Sequence, residues 1–162
     1  MQYEHQNVPP RLLAGITVRT NFTRETNPLT SEIGKIVNRY ITGQIAQQIP
    51  YRKNPGVSFC AYTDYTDEYK GDYTYFIGEE VTEGNKLPEG MSLLEIPAGT
   101  YLKLTTDAGA IPFIIINAWQ KIWQLFQNDN YGKRLYKVDF EVYDERAKNP
   151  QDAIVDLYVG VI

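Results

Sequence analysis

Asp139, Glu141 and Tyr143 alternate with Phe140 and Val142 in the stretch Asp139-Phe-Glu-Val-Tyr-Asp144. A period of two marks a strand, so the two carboxylates and the tyrosine share one face and the two apolar residues the other. The apolar pair is assigned to the core beneath the helices, and the Glu141 face to an open cleft. A carboxylate among aromatic rings can hold a lipophilic cation. The rings supply dispersion and cation–π attraction, about 0.5–2 kcal/mol per contact. The carboxylate supplies the counter-charge, which counts for more in a low-dielectric setting. A glutamate on a half-exposed strand is also an ordinary surface residue.

Aromatic side chains are the other strong signal: thirteen tyrosines, six phenylalanines and two tryptophans. Tyrosine joins a flat apolar face to a polar tip, which suits both wet-edged cores and ligand pockets. Tyr62, Tyr101 and Tyr143 are the pocket candidates, with Tyr65, Tyr69 and Tyr73 placed at a turn or rim. Trp119 and Trp123 lie four apart on a helical stretch and can line one wall.

Other chemistries are narrowed by count. Cys60 is the only cysteine and His5 the only histidine, in what reads as a mobile terminus. An internal disulfide, a zinc site of His and Cys, and a Ser-His-Asp triad away from that terminus all lack residues. No metal or cofactor is expected. Cys60 has neither a histidine nor an adjoining base to activate it, so it reads as a small buried or cleft-lining thiol. Sixteen basic against twenty acidic residues give a charge of −4, with no basic cluster to contact nucleic acid. No apolar run approaches the eighteen residues of a membrane span, and no secretory leader is visible. A cytoplasmic setting is expected.

The elements that must position these residues repeat. An extended segment over 8–20 precedes an apolar helical stripe of Ile33, Ile36, Val37, Tyr40, Ile41, Ile45 and Ile49. Asn27-Pro28 reads as the helix start and Pro50 as its stop. Strands follow over 57–64 and 72–81, then a Gly/Pro loop over 82–90. The pattern then restarts: extended over 93–105, helical over 111–127, strands over 136–143 and 153–162. Ala14-Gly15 echoes Ala98-Gly99, and Phe59-Cys60-Ala61-Tyr62 echoes Phe140-Glu141-Val142-Tyr143. Cys60 thus stands where the second half carries Glu141. The expectation is one α+β domain over 1–162, a duplicated strand-helix-strand-strand unit (8–81 and 91–162). Pseudo-two-fold symmetry would give an antiparallel sheet, two helices on one side and a central ligand cleft.

Four features in order resemble the GyrI-like small-molecule-binding family, the effector-binding domain of AraC- and MerR-type bacterial regulators. They are the run Tyr62-Thr-Asp-Tyr-Thr-Asp-Glu-Tyr-Lys-Gly-Asp-Tyr-Thr-Tyr-Phe-Ile-Gly78, Ile96-Pro-Ala-Gly-Thr-Tyr101, Trp119, and the Asp139–Asp144 strand. The resemblance covers nearly the whole chain and implies a standalone member without a helix-turn-helix domain. It implies Glu141 as the central acidic residue of a drug-binding cleft, used for sensing or sequestration linked to transcription. Two alternatives stay open: a hydrolase of reactive electrophiles with Glu141 as base, and a protein-partner inhibitor of DNA gyrase. Expected partners are a small organic ligand and either a regulator protein or gyrase, without direct nucleic acid or membrane contact, for a monomer or dimer.

Overall fold

In the computed structural model, which describes all 162 residues, eight strands form one antiparallel sheet. They are β1 (Gln2–Val8), β2 (Arg11–Thr20), β3 (Ser58–Thr63), β4 (Tyr73–Glu80), β5 (Ser92–Ile96), β6 (Gly99–Thr105), β7 (Val138–Tyr143) and β8 (Asp156–Gly160). Three helices accompany them: α1 (Phe22–Glu25), α2 (Ile33–Thr42) and α3 (Phe113–Leu125). The spatial order is β1-β6-β8-β7-β3-β4-β2-β5. Exchanging each strand for its counterpart in the other half, β1 for β5 through β4 for β8, reverses this order onto itself. The α+β class and the duplicated antiparallel architecture are therefore as the sequence indicates.

Each half has one more strand than expected, because proline breaks the extended segments. Val8 pairs with Gly99 and Arg11 with Ile96, so Pro9-Pro10 lies opposite Pro97-Ala98 at matching bends. Pro9 thus answers Pro97, and Ala14 answers Leu102 rather than Ala98. The N-terminus, read from the sequence as a mobile end, is a strand of the sheet: His5 sits in β1, opposite Leu102, with Nε2 2.9 Å from the Tyr131 carbonyl oxygen.

Helix α2 starts at Ile33, not at Asn27-Pro28, for a capping reason. The Glu25 carboxylate accepts the backbone N–H groups of Glu32 (2.8 Å) and Ile33 (3.1 Å), satisfying two otherwise orphan donors. Asn27 instead closes a turn, accepting from the Leu29 N–H at 3.0 Å. The helix stops at Gly43, and its sequence stripe continues through a short 3-10 turn, Ala46–Gln48.

Pairing registers show how the layers lie. Ile16, Ile77, Cys60, Glu141, Leu157 and Leu104 are successive cross-strand partners, so their side chains share one sheet face. That face carries the helices. α2 sets Ile36 and Tyr40 against Ile16, Cys60 and Ile77, while α3 sets Ala118 and Ile122 against Leu104 and Leu157. The opposite face curls round a separate core of Leu13, Phe59, Phe76, Ile96, Tyr101 and Phe140. Phe140 and Val142 thus point away from the helices, and Glu141 toward them. The expected side was reversed because both faces of β7 are covered, one by helices and one by the curled sheet.

Candidate functional site

β3 and β7 are the middle strands, and Cys60 and Glu141 face each other directly across them. Equivalent residues paired this way lie at the pseudo-two-fold axis, on the strip of sheet between α2 and α3. Glu141 is 1% exposed. Its Oε1 accepts the Tyr143 hydroxyl at 2.6 Å, and its Oε2 accepts the Tyr62 hydroxyl and the Trp119 indole N–H, each at 2.8 Å. Three half-buried aromatic groups therefore cover the carboxylate, one side chain deep. The Tyr62 and Trp119 rings meet edge to face at 5.1 Å. Tyr143 packs against the cores under both helices.

Electrostatics single Glu141 out. Five carboxylates are buried: Glu79, Glu80, Asp139, Glu141 and Asp156. Arg52 pairs with Glu79, Arg11 and Lys53 with Glu80, Arg134 with Asp139, and Arg146 and Lys103 with Asp156. Glu141 alone has only neutral donors. Burial raises its pKa above the ordinary carboxylate value, against the lowering pull of the three hydrogen bonds. Burial first, then the Glu141 charge, holds the Tyr62 and Tyr143 hydroxyls well above their usual range, so both remain donors. The same two causes push the Cys60 thiol up, which makes it inert as a nucleophile.

Of the sequence candidates, Glu141, Tyr143, Tyr62, Trp119 and Cys60 come together. Tyr101 does not: it lies in the core on the other sheet face, edge-on to Phe140 at 5.5 Å, with its hydroxyl donating to the Pro97 carbonyl at 2.8 Å. Trp123 does not either. It is 42% exposed and meets Phe22 of α1 edge to face at 5.6 Å, because α3 turns it outward while Trp119 points inward. Tyr73, expected at a turn or rim, and Tyr75, which the sequence did not single out, both lie in β4 with their rings 5.7 and 5.3 Å from that of Tyr62. Their alternation in β4 was the available signal. A surface groove of about 490 Å³ lies at the ends of β3 and β7, between Tyr65, Tyr136 and Leu94, and Glu141 is not among its walls.

The family model of integron-associated effector binding proteins (Cass2) matches residues 6–161. The transcriptional regulator BrlR of Pseudomonas aeruginosa is 32% identical over 133 residues, 80% of this chain and 46% of BrlR. YobU of Bacillus subtilis, a transcriptional regulator by its description, is 33% identical over 100 residues, 62% of this chain and 61% of YobU. The chain thus spans about half to three-fifths of these regulators. An integron cassette protein of Vibrio cholerae superposes with a TM-score of 0.78 at 22% identity, covering 99% of this chain and 95% of the other. SAV2435 bound to tetraphenylphosphonium also gives 0.78, at 16% identity, covering 100% and 94%. With a family match across almost every residue and the fold shared end to end, this chain belongs to the integron-associated effector binding proteins, of GyrI-like architecture.

Proposed function

We propose that this protein binds a small lipophilic organic cation between α2 and α3, with Glu141 as counter-charge and Tyr62, Tyr143 and Trp119 as aromatic walls. One observation carries the reading: among five buried carboxylates, Glu141 alone lacks a cation of the protein's own. An uncompensated buried charge is costly, and a bound cation removes that cost. The aromatic faces around it attract such a cation further. The tetraphenylphosphonium carried by SAV2435 is a ligand of this chemistry, and the regulator relatives fit a role in sensing or sequestration.

Both Glu141 oxygens are already hydrogen-bonded, so entry of a cation displaces at least one aromatic donor. Trp119, which packs with the core under α3 and reaches the α2 side only through its edge-to-face contact with Tyr62, is the donor expected to move. Titration with tetraphenylphosphonium is therefore expected to quench Trp119 fluorescence saturably. A Trp123→Phe variant keeps that quenching, because Trp123 lies outside the site. Quenching that disappears with Trp123 and survives in Trp119→Phe would overturn this placement.

A further inference from the structure

The second carboxylate on the Glu141 face of β7 is already compensated. Asp139 is fully buried, and its Oδ2 accepts from Arg134 Nη2 and from the Tyr65 hydroxyl, both at 2.7 Å. Its Oδ1 accepts the Gly160 backbone N–H at 3.0 Å. The Arg134 side chain is only 7% exposed. Its guanidinium stands over the Tyr136 ring, 4.3 Å from the centroid, and 5.9 Å from the centroid of Trp119. Trp119 in turn donates to Glu141. Asp139 and Glu141 are thus linked through one cation and one indole.

We propose that Arg134 sets the charge of the ligand, so that the site accepts monocations and discriminates against dications. This rests on Glu141 being the ligand's counter-charge. Arg134 cancels Asp139, leaving one negative charge for a ligand to meet. It also stands on aromatic faces at the edge of the site, much as a bound organic cation would. A second positive charge on the ligand would find no free carboxylate, and of the neutral pair it would approach the guanidinium, the member set against the Trp119 wall. Specificity here comes from the repulsive element as well as the attractive one.

Two biaryl probes of similar size and shape but different charge test this: N-methyl-phenylpyridinium, with one charge, and methyl viologen, with two. Calorimetric titration of the full chain at fixed salt is expected to favour the monocation. Asp139→Asn leaves Arg134 unpaired and lowers monocation affinity at least tenfold, although Glu141 is intact. Adding Arg134→Met to that variant recovers most of the loss, since the pair is again neutral overall. Arg134→Met alone moves the preference at least tenfold toward methyl viologen.

A merely structural ion pair gives another pattern. Asp139→Asn and the double variant would then bind equally weakly, and the proposal would be wrong. That comparison decides the matter even where Arg134→Met alone, with its uncompensated buried carboxylate, does not fold. If the wild type binds neither probe in a Glu141-dependent way, the counter-charge reading itself falls, which is a distinguishable result.

Discussion

Replacing Glu141 by glutamine lowers the affinity for tetraphenylphosphonium at least tenfold, about 1.4 kcal/mol, and raises the melting temperature of the free protein. Both effects have one source. Glu141 is buried with three neutral donors and no cation, so its charge is stabilised by dipoles alone. Glutamine keeps the volume and an acceptor oxygen but removes the charge, and with it both the ligand's partner and the desolvation cost. Each kcal/mol regained is worth about 2–4 °C in a chain of this size.

The pH dependence has a fixed sign. Burial raises the Glu141 pKa above 4.5, so the folded protein retains a proton over a window in which the unfolded chain has released it. Stability contributed by this group therefore falls as pH rises from 4.5 through the folded-state value. Cation affinity climbs over the same window, because binding requires the carboxylate. Glu141→Gln abolishes the affinity slope and makes the stability slope shallower, leaving the share of Glu79, whose pKa burial also raises. Thermal melts and calorimetric titrations across the acid-to-neutral range read them, and a variant with unchanged affinity and unchanged slopes would refute the assignment.

Phe140→Ala is expected to cost about 3–5 kcal/mol, the range for truncating a large buried aromatic. Phe140 is 1% exposed and stacks on Tyr158 at 4.6 Å with the planes 7° apart. It also meets Tyr101 edge-on and lies 6.1 Å from Phe59. These rings form the core on the sheet face away from the helices, so nothing nearby can collapse into the gap without moving a strand. Urea denaturation measures the loss. A cost below about 1 kcal/mol, in the range of ordinary surface substitutions, would mean that this face is open rather than curled on itself.

Phe140 also marks the limit of what was legible in the sequence. Period-two alternation grouped Asp139, Glu141 and Tyr143 on one face and Phe140 and Val142 on the other, as the structure has them. Alternation cannot say which face carries helices when both are buried, and it reads buried acids as a wet face. The repeat brought Cys60 opposite Glu141, because a two-fold axis through paired middle strands requires equivalent positions to meet. Trp119 and Trp123 were indistinguishable at four-residue spacing, since the exact rotation of α3 decides which ring points inward. The partners of Asp139 were hidden for a different reason: Arg134, and Tyr65 expected only at a turn or rim, lie outside the regular strands, and only the tertiary fold brings them to that carboxylate. The Glu25 cap of α2 was hidden likewise, since a carboxylate eight residues before Ile33 has no local signature.

Tetraphenylphosphonium and tetraphenylborate have nearly the same size and shape and opposite charge, so titrating both isolates the role of the uncompensated carboxylate. The expected result is saturable binding of the phosphonium at least a hundredfold tighter than that of the borate, about 2.8 kcal/mol. Equal binding of the two ions, or preference for the borate, would contradict the central claim that Glu141 is a buried charge awaiting a cation.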